Sequence, residues 1–164
     1  MFYEEVFRAL NKNKVKYVVA GGVAAVLHGV VRATVDLDII IELSPKNIEK
    51  LFSTLKDLDY LPRVPVTVTQ FKSKKMRESW MREKNMKAFS FFHRHDPFKA
   101  IDLLLGNVAS YHKVKKVKFL AQDISVPVVS VKDLTDQKMK ASRPKDLSDV
   151  RTLQDLVATR KRKK

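Results

Sequence analysis

The chain of 164 residues carries 33 Lys and Arg against 18 Asp and Glu, a net charge of +15, with 45% hydrophobic residues and no cysteine. That apolar share excludes a disordered polymer, and the missing thiols exclude disulfides and thiolate metal centres. No apolar run approaches the ~20 residues needed to span a bilayer, so a cytoplasmic protein without membrane partners is expected.

The N-terminal ten residues form an amphipathic pattern with Glu4, Glu5 and Arg8 rather than a signal peptide. Helical spacing of Phe2, Val6 and Leu10 predicts a helix over residues 2–11. Residues 16–20 read as a buried strand, Gly21-Gly22 as a tight turn, and residues 23–28 as a short helix stopped by Gly29. A second strand is expected over residues 36–42. Ser44-Pro45 then marks a helix start, with Ser as N-cap and Pro at the first helical position. This helix should reach residue 58, burying Ile48, Leu51, Phe52, Leu55 and Leu58. Residues 64–69 read as a strand. The basic stretch 72–87 reads as either a helix or a mobile loop. Strands are expected at 86–92 and 99–105 around the turn Arg94-His95-Asp96-Pro97, and at 117–121 and 124–129 around Gln122-Asp123. Ser130, with Asp133 in the capping-box position, opens a further helix. Arg143-Pro144 breaks the pattern, and a last helix covers 145–158. Without internal repeats or a Gly/Ser linker, the alternation predicts one α/β (α+β) domain over residues 1–158, a mixed central sheet flanked by helices. A basic tail, 159–164, would follow.

Chemistry concentrates in three carboxylates. Successive strand residues point to opposite faces, so Asp36 and Asp38 share one face while Leu37 takes the other. Two such charges at ~4 Å repel by about 4 kcal/mol at an effective dielectric near 20. Hard Mg²⁺ relieves that repulsion through oxygen ligands. The competing reading is a polar strand start at a sheet edge. Asp102 lies inside the apolar run 99–105, where a charge is costly unless paired with Lys or Arg or bound to metal. If its strand lies beside that of Asp36 and Asp38, the three converge, and two cations ~3.5–4 Å apart can serve in-line phosphoryl chemistry. A glycine pair opening a helix lets backbone N–H groups approach phosphate.

Gly21-Gly22, thirteen intervening residues, Asp36-Leu37-Asp38 and a later strand aspartate resemble the nucleotidyltransferase superfamily with its polymerase-beta-like fold. Arg32-Ala33-Thr34-Val35-Asp36-Leu37-Asp38 is similar to the Arg-x-Thr-x-Asp-x-Asp pattern of AbiEii-type toxin nucleotidyltransferases, as are Lys138, Ala141 and the stretch Arg143-Pro144-Lys145-Asp146-Leu147-Ser148-Asp149. The resemblance implies NMP transfer from an NTP with Mg²⁺ or Mn²⁺. Asp36, Asp38 and Asp102 would hold metal, and Asp102 would also help deprotonate the acceptor. Gly21, Gly22, Arg32 and Lys138 would face the nucleotide. RNA, such as a tRNA 3′ end, is the implied acceptor, with a small-molecule or protein hydroxyl left open, and an antitoxin the implied protein partner. Two departures stand out: many members carry Gly-Ser in place of Gly21-Gly22, and AbiEii-type toxins usually add a sizeable helical region.

Several residues have two readings. Lys138 either points at phosphate or faces solvent. Arg32 either contacts phosphate or pairs with Asp149 or Asp146. Asp146 and Asp149 share a helix face and read foremost as acids favoured at a helix N-terminus. His93 and His95 read as an exposed turn, and His28 as a helix end. Lys72, Lys74, Lys75, Arg77, Arg82, Lys84 and Lys87, interleaved with Phe71 and Trp80, read either as a nucleic-acid surface with stacking aromatics or as a solvated face over a buried Trp80. Lys113, Lys115, Lys116 and Lys118 add to the positive field, whose other source is a lysine-rich or thermophile composition. The alternative function is a nucleic-acid-binding module on the same scaffold with little or no catalysis. An aminoglycoside-modifying transferase calls for an acidic cleft, which the net charge opposes.

Overall fold

The computed structural model describes residues 3–105, 111–121 and 123–162. Phe2 of the first expected helix, Gln122 and residues 163–164 lie outside them. The elements run α1 (Glu4–Lys12), β1 (Tyr17–Val19), α2 (Gly21–His28), β2 (Leu37–Ile41), α3 (Pro45–Asp57), β3 (Tyr60–Pro62), α4 (Val68–Lys72), α5 (Lys74–Glu83), β4 (Ala88–His93), β5 (Asp96–Leu104), β6 (Lys116–Ala121), β7 (Ile124–Val129), α6 (Val131–Ala141) and α7 (Pro144–Arg162).

The described strands form one mixed sheet in the order β3-β4-β5-β2-β1-β7-β6. β2 runs parallel to β5 and antiparallel to β1, while β1 runs parallel to β7. The two strand pairs expected around residues 94–97 and 122–123 are the antiparallel pairs β4/β5 and β6/β7. Strand alternation puts Leu37, Ile39, Ile101, Leu103, Phe89 and Phe91 on one face, and all are essentially inaccessible to solvent. Against that face lie Phe52 of α3, its ring 5.1 Å from Phe91, and Phe71 of α4, 4.7 Å from Phe89. α2, α6 and α7 pack on one another, and α2 also packs on β2 and β7.

Local differences from the expected elements have physical causes. Residues 64–67 are not a strand: Thr67 opens α4 with a capping box, its hydroxyl accepting from the Gln70 N–H while the Gln70 side chain accepts from the Thr67 N–H. Residues 72–87 hold α5, with Ser73 as cap, rather than a loop. Ser44 precedes α3 as expected, but its hydroxyl donates to Glu42 (2.8 Å) instead of capping the helix. Gly21 and Gly22 form the first turn of α2 rather than a turn before it, with Ala24 N–H donating to the Ala20 carbonyl at 3.2 Å. α7 continues to Arg162, past the expected end at residue 158.

Candidate active site

The register β2/β5 pairs Asp38 with Asp102, and the register β4/β5 pairs Ser90 with Asp102. Ser90, Asp102 and Asp38 therefore stand in a row on the face opposite the aromatic cluster. Asp36 precedes the first β2 residue and is exposed. The expected neighbour relation of the two aspartate-bearing strands is thus met.

Asp38 is a strongly perturbed carboxylate. Burial, then the charge of Asp102, push its pKa up to about 6. Asp36 pushes the same way, whereas a hydrogen bond from the Gly22 N–H and the charge of Lys138 pull it down. The glycine pair makes this seat. Gly21 has φ +58°, and a Cβ there would stand 1.8 Å from Asp38 Oδ2. A Cβ on Gly22 would stand 2.3 Å from Thr34 Oγ1 and 2.6 Å from an Arg32 guanidinium nitrogen. Here the diglycine cups a carboxylate at the positive end of α2, the electrostatics by which helix N-termini hold anions.

Lys138 neither faces solvent nor points at an open phosphate site. It is 5% exposed, and Nζ donates to Asp149 (2.6 Å) and Asp146 (3.2 Å). Asp146 lies in the first turn of α7, as expected of an acid favoured at a helix N-terminus, and both it and Asp149 are buried, at 1% and 2% exposure. Burial works to raise the Asp146 pKa, but hydrogen bonds from Arg143 and Lys138 outweigh it and hold the carboxyl below its usual value. Arg143 Nε donates to Asp146 at 2.5 Å. That bond, with the charges of Asp146 and Asp38 behind it, raises the Arg143 pKa. Arg32 Nε lies 3.1 Å from Asp149 Oδ1, the pairing expected from sequence, although without the alignment of a hydrogen bond. Lys138 of α6, Asp146 and Asp149 of α7, Arg143 between these helices and Arg32 ahead of β2 thus form a ladder of three cations and two carboxylates beside Asp38.

Among the described residues, no set of three or more His, Asp or Glu side chains is gathered to close around a metal ion. Asp38 and Asp102 still suit one chemically. Mg²⁺ is commonly held by one or two carboxylates, completed by substrate phosphates and water, rather than by an all-protein cage. Two hard oxygen donors of like charge, paired across parallel strands, fit that role.

Tyr3 and Ser90 were not singled out in the sequence. The Tyr3 hydroxyl donates to Val35 O (2.5 Å), just ahead of β2 beside Asp36, and to Ala100 O (2.8 Å), within β5 two residues before Asp102. A lone N-terminal tyrosine carries no periodic signal of such contacts. Ser90 could have been found from the β4/β5 register alone. His28 ends α2 as expected, its Nε2 2.8 Å from the Val129 carbonyl oxygen. The stacking role weighed for Phe71 and Trp80 fails: they are 0% and 6% exposed and pack on Phe89. Arg77 is buried too, donating to the carbonyls of Phe71 and Lys72. Lys72 pairs with Glu49, Lys74 with Glu78 and Arg82 with Glu83, while Lys74, Lys75, Arg82, Lys84 and Lys87 stay exposed on the surface. No described helix is long and apolar enough to cross a membrane.

No protein-family model and no curated protein matches the sequence. Solved structures do. A lincomycin-bound lincosamide antibiotic adenylyltransferase, LnuA, superposes with TM-score 0.62 at 18% identity, over 94% of this chain and 96% of that one. The antibiotic-resistance factor ANT(2'')-Ia gives 0.61 at 10% identity, over 98% and 90%. An antigenic nucleotidyltransferase-like protein from Paracoccidioides brasiliensis gives 0.55 at 14%, over 94% and 72%. With its seven-stranded mixed sheet and flanking helices, the chain has the nucleotidyltransferase fold.

Proposed function

We propose that the protein transfers a nucleoside monophosphate from an NTP to an acceptor hydroxyl, releasing pyrophosphate. The reading rests on one observation: Asp38 and Asp102 are register partners on adjacent parallel strands, beside the diglycine start of a helix, within this fold. Asp36, Asp38 and Asp102 would hold Mg²⁺ or Mn²⁺, which supplies charge neutralisation at the transferring phosphate. Asp38, with a pKa near 6, is largely ionised at neutral pH and stays so against its neighbours through the Gly22 N–H and the Lys138 charge. Asp102 accepts the proton of the acceptor hydroxyl. Arg32 and the Gly21-Gly22 turn orient the triphosphate. Lys138, fixed by Asp146 and Asp149, adds positive charge on the same side. Catalysis of this kind is positioning and electrostatics rather than covalent chemistry.

For the acceptor we favour RNA, with a tRNA 3′ end foremost. The net charge of +15 draws polyanions, and the Arg32-to-Asp38 pattern resembles AbiEii-type toxins, with an antitoxin as the corresponding partner. The second reading, a nucleic-acid-binding module without transfer, draws on the same charge and on the ungathered carboxylates. The structural neighbours named for lincosamide and for ANT(2'')-Ia activity make antibiotics the third class to test.

The deciding assay incubates the protein with each α-labelled NTP and Mn²⁺ or Mg²⁺, with total tRNA, a lincosamide or an aminoglycoside. Label on RNA that vanishes in Asp36→Asn supports the proposal. Tight RNA binding without transfer, unchanged in that variant, supports the module. Label only on an antibiotic overturns the RNA acceptor.

A further inference from the structure

Resting on the nucleotidyl-transfer reading, we infer that Tyr3 is a positioning residue for metal binding: its hydroxyl bridges the segment entering β2 to β5 and so fixes Asp36 relative to Asp102. The β2/β5 ladder begins at the Leu37–Ile101 pair. Among the described residues no β2/β5 register pair precedes it, although Ala100 also pairs with Phe92 of β4. The Tyr3 hydroxyl spans the two backbones there. Its proton is shared between the carbonyl oxygens of Val35 (2.5 Å) and Ala100 (2.8 Å), and its oxygen accepts from the Ala100 N–H at 3.2 Å. Val35 directly precedes Asp36, and Ala100 lies two residues before Asp102. Tyr3 itself is 2% exposed, so the ring is held by packing. Asp36 is thereby held on its C-terminal side by the ladder and on its N-terminal side by the phenol.

The electrostatics agree with this placement. Burial raises the Tyr3 pKa to about 12, and the charges of Asp36 and Asp102 add to the rise, so both carboxylates lie within electrostatic reach of the phenol. At neutral pH the phenol keeps its proton, which the two carbonyl acceptors require. An exposed Asp36 ahead of the strand would otherwise sample many orientations, and ordering it would weaken cation binding.

The test is direct Mn²⁺ binding, followed by electron paramagnetic resonance well below the melting temperature of every variant. Loss of a group that orients a metal ligand typically weakens binding ~10-fold or more, and that is the expectation for Tyr3→Phe. Because Tyr3 acts through Asp36, the double variant Tyr3→Phe/Asp36→Asn should bind no more weakly than Asp36→Asn alone. 3-Fluorotyrosine at position 3, which retains a hydroxyl, should restore wild-type affinity. A purely structural tyrosine would lower the melting temperature of Tyr3→Phe without moving the Mn²⁺ midpoint, or would give additive losses in the double variant. Either result overturns the inference while leaving nucleotidyl transfer standing. A wild-type protein that takes up no Mn²⁺ even with a non-hydrolysable NTP analogue present overturns the transfer reading and this inference with it.

Discussion

Replacing Gly21 by Ala probes the seat of Asp38 with one methyl group. The added Cβ would stand 1.8 Å from Oδ2, 2.5 Å from Cγ and 2.8 Å from Cβ of Asp38. Ordinary contact needs about 3.4–4 Å, so the whole aspartate side chain has to shift by over ~1 Å, because even its Cβ is too near. The φ of +58° adds about 1–2 kcal/mol of backbone strain for a residue with a Cβ. An off-rotamer Asp38 adds about 0.5–1.5 kcal/mol. Stability should therefore fall by ~2–3 kcal/mol, or about 4–12 °C in melting temperature for a chain of this size. Activity should fall far more, since a ~1 Å misplacement at a reacting centre costs about 100-fold. Gly29→Ala is the matched control. Its φ of +114° also strains a side chain, but its Cβ would meet only Leu156, at 3.3 Å. The pair is compared by circular-dichroism melts and by labelled-NMP transfer. Comparable transfer in Gly21→Ala and Gly29→Ala would refute the assignment of Asp38 to the reacting centre.

The pKa of Asp38 makes a pH prediction. It is about 6 in the folded protein against an ordinary value of 3.8, so protonation stabilises the fold. That contribution is complete below pH ~4 and is lost as pH rises through about 6, at a cost of up to ~3 kcal/mol. In EDTA, Asp38→Asn should therefore be more stable than wild type at pH 7.5 and close to it at pH 4, as urea melts will show. Lys138→Met leaves Asp146 and Asp149 buried without their shared cation and should cost about 3–5 kcal/mol. By the same denaturation measurement, Lys132→Met, which breaks only the exposed pair with Asp136, should leave the midpoint nearly unchanged. Trp80→Phe should leave RNA retention in filter binding unchanged, because the indole is buried against Phe71 and Phe89.

Much of this layout was legible because it rests on periodicity and short-range punctuation. The apolar runs at 17–19, 37–41 and 124–129, the Ser-Pro before α3 and the Ser130 cap all act within a few residues. The three aspartates were legible because charge inside an apolar run demands a reason. Other features depend on distant partners. Val64, Val66 and Val68 alternate like a strand, yet the Thr67–Gln70 capping box wins, a local signal that β-branched residues masked. Trp80 carries the same residue type whether it stacks on a base or on Phe89. The burial of Lys138 needs Asp146 and Asp149, eight and eleven residues later, and a helix turn between them to bring all three together.

Tyr3 bridges the backbones of Val35 and Ala100, while Asp149 meets Lys138 and Arg32, so segments far apart in sequence meet beside Asp38. During synthesis, Lys138 leaves the ribosome before either acid that neutralises it. Until residue 149 emerges, the nascent chain holds an uncompensated ammonium that water keeps outside, so α6 cannot settle beside Asp38. Burial of the Lys138 ammonium beside Asp38 should therefore await the docking of α7.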